Sequence, residues 1–185
     1  MFAAPIAALA DETSNPLTMD FAAGGMVRMK LNTGDMEVIG ADADRISVSW
    51  SATDGGDEGK VKAKLQRPAE KEATVLVDGP GNHMHYRIEV PRRSDVVIHM
   101  RAGELTVRGI KGSVDADLLA GDMDLRLPEP DRFRSVDLSV TAGAIDAKPW
   151  QVDKAGLWRS SKAIGNGDYD LRARLIAGQL TIRAE

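Results

Sequence analysis

The chain has 185 residues, no cysteine, 24 basic and 28 acidic side chains, a formal net charge of −4 and 4% aromatic residues. Its length suits one domain burying roughly 70% of the surface its unfolded chain would expose. The near-balanced charge leaves no strong field to draw nucleic acid or an anionic membrane, and the missing thiols exclude disulfides, thiolate nucleophiles and cysteine-held zinc or iron–sulfur clusters.

In chain order, the first element is the apolar stretch Phe2-Ala-Ala-Pro-Ile-Ala-Ala-Leu-Ala10. Its Ala8-Leu-Ala10 end matches the small-x-small close of a secretory signal peptide, without the basic segment that would precede it. Residues 11–25, with Pro16 and Gly24-Gly25, read as a linker. The expected division is therefore a leader remnant and linker over 1–25 and a single all-β repeat domain over 26–185. No stretch approaches the roughly 20 apolar residues of a membrane-spanning helix.

Alternation begins at Val27, Met29 and Leu31, opposed by Arg28 and Lys30, and continues at Ile46, Val48 and Trp50, opposed by serines. These are half-buried strands with one wet side. Asp54-Gly-Gly-Asp-Glu-Gly59 turns the chain. Val61, Ala63 and Leu65 then alternate with Lys60, Lys62 and Lys64, which read as a solvated strand face. Arg67-Pro68 breaks this strand, Val75 to Val77 form another, and Asp78-Gly-Pro-Gly-Asn82 turns again. Met84, Tyr86, Ile88 and Val90 make an apolar face opposite His83, His85, Arg87 and Glu89.

A phrase then recurs in which a glycine precedes apolar residues at every other position. It reads Gly103-Glu-Leu105-Thr-Val107, Gly112-Ser-Val114-Asp-Ala116-Asp-Leu118, Gly121-Asp-Met123-Asp-Leu125 and Gly143-Ala-Ile145-Asp-Ala147. Echoes follow at Gly167 and Gly178, and an early copy stands at Gly34-Asp-Met36-Glu-Val38. A shift of 18 residues carries Val96, Ile98 and Met100 onto Val114, Ala116 and Leu118, and Leu105 and Val107 onto Met123 and Leu125. A further shift of 22 carries these sets onto Val136, Leu138 and Val140, and onto Ile145 and Ala147, with the extra residues at Pro128-Glu-Pro130-Asp-Arg132. Two strand sets obeying the same offsets predict coils stacked at the strand spacing. Leu105 is expected over Met123 over Ile145, and Ala116 over Leu138. The expected fold is all-β: a parallel β-helix or β-roll-like solenoid of short strands, with more irregular antiparallel strands in the N-terminal half. No helix is expected beyond a turn or two around Val152 to Arg159, and Trp150 and Trp158 are placed as plugs at the end of the core.

Ile88-Glu-Val90-Pro91, Asp95-Val-Val-Ile-His-Met100, Gly103-Glu-Leu-Thr-Val-Arg-Gly109-Ile-Lys-Gly112 and Gly121-Asp-Met-Asp-Leu125 resemble the bacterial putative-adhesin β-strand-repeat domains. The resemblance runs from about Met26 to the C-terminus. It implies a solenoid-like all-β fold outside the cytoplasm and carries over no catalytic residue.

The chemical candidates are few. His83 and His85 share a strand face, but only His99 remains elsewhere, short of the three or four convergent ligands a metal site needs. Asp115, Asp117, Asp122 and Asp124 offer paired carboxylates for a calcium ladder or a β-helical carbohydrate-active enzyme. Arg108, Lys111 and Arg126 lie close enough in sequence to neutralise them, and outward strand positions are polar by default. Asp54 to Gly59 lacks the spacing of a calcium loop, and Gly165-Asn-Gly167 is a tight turn without the helix that a phosphate cradle needs.

No catalytic or metal-ligating residue and no cofactor is expected, and the binding residues stay open. The functional expectation is a non-enzymatic, exported structural or adhesive module, located in the periplasm, on the cell surface or in the medium. It would present polar strand faces to a glycan, an envelope component or another copy of itself. An enzyme using the surface aspartates and an envelope-stress sensor are the alternatives.

Overall fold

The computed structural model describes residues 14–53, 55–81 and 83–185, so the expected leader lies outside the described residues. Its strands are β1 (Leu17–Asp20), β2 (Met26–Ala41), β3 (Arg45–Ala52), β4 (Lys62–Ala69), β5 (Glu72–Asp78), β6 (Met84–Pro91), β7 (Asp95–Arg108), β8 (Val114–Leu127), β9 (Phe133–Ala147), β10 (Val152–Ile164) and β11 (Tyr169–Ala184). All eleven join one mixed sheet, and no α-helix occurs among the described residues.

The long strands share one design. In β7, Val96, Ile98 and Met100 are buried, Gly103 follows, and Leu105 and Val107 are buried beyond it. Unbroken alternation would send residue 105 outward. Instead the strand bends at Gly103, whose φ is +119°, and the inward parity reverses, so both arms face the same core. In β8 the same order is Val114, Ala116, Leu118, then Gly121, then Met123 and Leu125. The bends stack in register: Gly34 lies beside Gly103, Gly103 beside Gly121, Gly121 beside Gly178, and Gly178 beside Gly143. A Cβ built on Gly121 would lie 1.9 Å from the Gly103 carbonyl oxygen, so a side chain cannot enter this ladder without moving a strand.

β2, β7, β8, β11 and β9 pair in parallel in that order, and β10 closes one edge antiparallel to β9. At the other side β2 divides its neighbours. Its first arm pairs with β5, which carries β4, while its second arm pairs with β6, which carries β3 and then β1. The two arm faces thus enclose one core, which runs from Leu17 and Leu65 through Tyr86 and Met123 to Ile182.

Several expectations change. β7 and β8 are adjacent with the offset read from the sequence, placing Leu105 beside Met123. Leu180 lies between Met123 and Ile145, however, and Ala173 lies between Ala116 and Leu138. The final strand is inserted into the stack, so the sheet is mixed and not a regular solenoid or β-helix. Antiparallel pairing also reaches the C-terminal half at β10. The span expected as linker contains β1, with Leu17, Met19 and Phe21 buried. A strand of four residues carries too little alternation to be read. Val152–Ile164 is a strand of 13 residues, not a helical turn; Val152 and Ala163 near its ends pack partly against the core and the residues between them are mostly exposed, so no alternation marks it. Trp150 does pack at the end of the core, edge-on to Phe133, which also meets Tyr169. Trp158 is 79% exposed and plugs nothing.

Candidate binding surface

Parallel, in-register pairing turns outward side chains into rows that cross the sheet at the strand spacing of about 4.8 Å. On the first arm one row runs Lys64, Leu76, Lys30, His99, Asp117, Arg174 and Ser139. Two of the aspartates singled out from the sequence belong to this face, and a single guanidinium ties them together. Arg174 Nε and Nη2 donate to Asp117 at 2.5 and 2.8 Å, and Nη2 stands 3.8 Å from Asp115. His99 Nδ1 lies 3.1 Å from the same Asp117 carboxylate. The hydrogen bond to Asp117, reinforced by the charges of Asp117, Asp115 and Asp137, pushes the Arg174 pKa up and keeps it cationic.

Asp122 and Asp124 lie beyond the Gly121 bend, on the second arm. Asp124 accepts from Arg126 Nε and Nη2 at 3.0 and 2.9 Å, and Asp122 accepts the Gln179 backbone N–H at 3.2 Å. The four carboxylates are therefore split between two faces and do not converge across a cleft. A register row on the second face instead brings together His85, Asp35, Glu104 and Asp122. Among the described residues, no group of three or more His, Asp or Glu side chains is placed to hold a metal ion. The expected shared strand face of His83 and His85 does not form, because His83 precedes β6 with a φ of +60° while His85 lies on β6; His99 is on β7. The Glu58 carboxylate accepts the Ala52 N–H at 2.9 Å.

One concave feature of the first face is an open groove of about 520 Å³ over β4, β5, β2 and β7, and another, of about 450 Å³, is lined in part by Asp95, Asp115, Asp137 and Asp170. Lys62, Lys64, Lys30 and Arg101 line the groove, over a floor to which Leu31, Leu76 and Val77 contribute. Its carboxylate, Asp78, accepts from Asn32 Nδ2 at 2.6 Å. Among the described residues Lys30, Lys62 and Arg101 are in no ion pair. A further hollow of about 430 Å³ shares Lys30, Leu31 and Arg101 and continues the groove past His99 to the half-exposed Leu119 on β8. The sequence displays these lysines as ordinary outward positions. Their convergence requires β4 to fold back on β5 and β5 to lie beside β2, contacts that no local spacing announces.

The β10 edge is guarded. Lys154 Nζ donates to the Ser160 carbonyl at 2.7 Å and Arg159 Nε to the Ala155 carbonyl at 2.8 Å. Charged side chains folded over an edge strand in this way blunt it against pairing with another chain.

No family model and no curated protein matches this sequence. Among solved structures, the chain is similar to the crystal structure of a putative cell adhesion protein from Clostridium sporogenes ATCC 15579. The identity is 12% and the TM-score 0.56, over 92% of this chain and 99% of that one. At that identity the likeness is one of fold.

Proposed function

We propose that this chain is a non-enzymatic, exported adhesive module of the adhesin-like β-strand-repeat kind, using the outer face of its first arms to hold a cell-envelope or surface polymer. The observation that carries the reading is the set of outward rows held in register across the parallel strands, which gives a polymer repeated contacts at fixed spacing. The coil-like step from β7 to β8 and the fold shared with a putative cell adhesion protein agree with it. Export rests on the small-x-small pattern Ala8-Leu-Ala10 read from the sequence and on the resemblance of the repeats to extracytoplasmic domains.

The test is retention of the labelled full chain on isolated bacterial envelopes and on a panel of immobilised polysaccharides, alongside an assay for polysaccharide cleavage with and without calcium. Saturable retention without cleavage is expected. Absence of retention on every envelope and polysaccharide would overturn the adhesive reading, and turnover abolished by Asp122→Asn would replace it with the enzyme.

A further inference from the structure

Resting on that reading, we propose that the cationic groove over β4, β5, β2 and β7 is the seat of an acidic polysaccharide whose carboxylates are separated by uncharged ring faces. Three observations converge. Among the described residues, the groove brings Lys62, Lys64, Lys30 and Arg101 together beside Asp78, whose carboxylate is already engaged by Asn32, on a protein whose formal net charge is −4. A polyanion is attracted here and repelled from the second face, where Asp35, Glu104 and Asp122 stand in one row.

The lining also alternates. Lys64, Leu76 and Lys30 follow one another across β4, β5 and β2, so two cations flank an apolar side chain about 10 Å apart, two strand spacings. A ligand matching this carries charge, then a hydrocarbon face, then charge, which a carboxylated glycan does. A bare phosphate polymer, charged at every unit, leaves Leu76 covered by nothing apolar.

Finally, the groove is open and continues through the hollow shared at Lys30 and Arg101 to Leu119, spanning β4 to β8, about 19 Å. That is a track for a chain molecule, not an enclosed cavity for a small one.

The experiment measures binding of the full chain to hyaluronate oligosaccharides, which bear carboxylates on alternate rings. The comparison probes are the carboxyl-reduced neutral form and inorganic polyphosphate. Hyaluronate is expected to bind with an affinity that falls as salt rises, the neutral form to show no binding, and polyphosphate to bind at least tenfold more weakly. The double variant Lys30→Gln/Arg101→Gln is expected to lose at least tenfold in hyaluronate affinity. Lys148→Gln/Arg183→Gln, which removes the same charge from exposed positions outside the groove, should stay within twofold of the wild type.

Both pairs are exposed, and matching unfolding curves establish that the variants fold. The groove assignment is overturned by equal loss in the two double variants or by no hyaluronate binding at all. Equal binding of the neutral form, or polyphosphate binding as tight as hyaluronate, overturns the carboxylated-glycan ligand. Envelope retention that persists in Lys30→Gln/Arg101→Gln would leave the adhesive reading standing while removing this groove from it.

Discussion

Replacing Gly121 by alanine tests the stacked bends directly, because two separable costs meet there. The backbone at φ +127° is one that a residue with a Cβ adopts at about 1–3 kcal/mol. The added methyl would also stand 1.9 Å from the Gly103 carbonyl oxygen, where contacts under 3.0 Å are essentially unknown, so β8 must move away from β7 by roughly the difference. A shift of that size breaks about two backbone hydrogen bonds at about 1 kcal/mol each. The expected loss is about 3–5 kcal/mol, or roughly 6–20 °C in Tm for a domain of this size. Gly24→Ala is the control: its φ is +84° and nothing lies within 4 Å of the new methyl, so only the backbone cost, about 1 kcal/mol, remains. Urea denaturation followed by tryptophan fluorescence measures both. Equal losses in the two variants would refute the close-packed ladder.

Leu125 is fully buried on the second arm of β8, so Leu125→Lys places an unpaired charge in the core, and circular dichroism should find no cooperative fold at neutral pH. The Tyr86 hydroxyl donates to the Pro80 carbonyl at 3.0 Å, and burial, aided by the Asp78 carboxylate, raises its pKa above the ordinary value of about 10. The folded state holds this proton more tightly than the unfolded one. Its contribution is therefore complete below about pH 10 and is lost as pH climbs through the folded-state pKa. Tyr86→Phe should cost about 1 kcal/mol at neutral pH and flatten that alkaline slope. A slope in urea midpoint above about pH 10 that is unchanged by the variant would assign it elsewhere. Lys154→Ala/Arg159→Ala uncovers the β10 carbonyls, and sedimentation velocity should then show concentration-dependent association; a variant as monodisperse as the parent would mean the caps do not guard the edge.

Local alternation was fully legible. Every inward residue read in β3, β6, β7 and the first arm of β8 is buried, because a period of two over a half-buried strand leaves its mark on each residue. Register was legible too, since the offset between Leu105 and Met123 reflects two strands with bends at one level. Neighbour order was not. Ala116, Ala173 and Leu138 occupy the same level, and equal levels say nothing about which strand stands between which. The bend is visible as a recurring glycine but not as a reversal of parity, because each arm alternates completely by itself and carries no mark of which way the other faces. The groove depended on the least visible information of all. Lys62, Lys64 and Arg101 each sit on a strand whose outward face is unremarkable until β5 is known to lie against β2.

The insertion of β11 between β8 and β9 has a temporal side. A ribosome delivers β8, β9 and β10 before the 16 residues that separate β8 from β9 in space. Until those residues arrive, β8 faces a gap one strand wide and β9 has only β10 to pair with. The non-local parallel pairs that complete the sheet form slowly in any case, since distant segments must find one another before any contact rewards the search. Commitment to the folded state therefore falls to a segment made after both of its partners, and until it is made the chain remains threadable, with its two halves unable to close on each other.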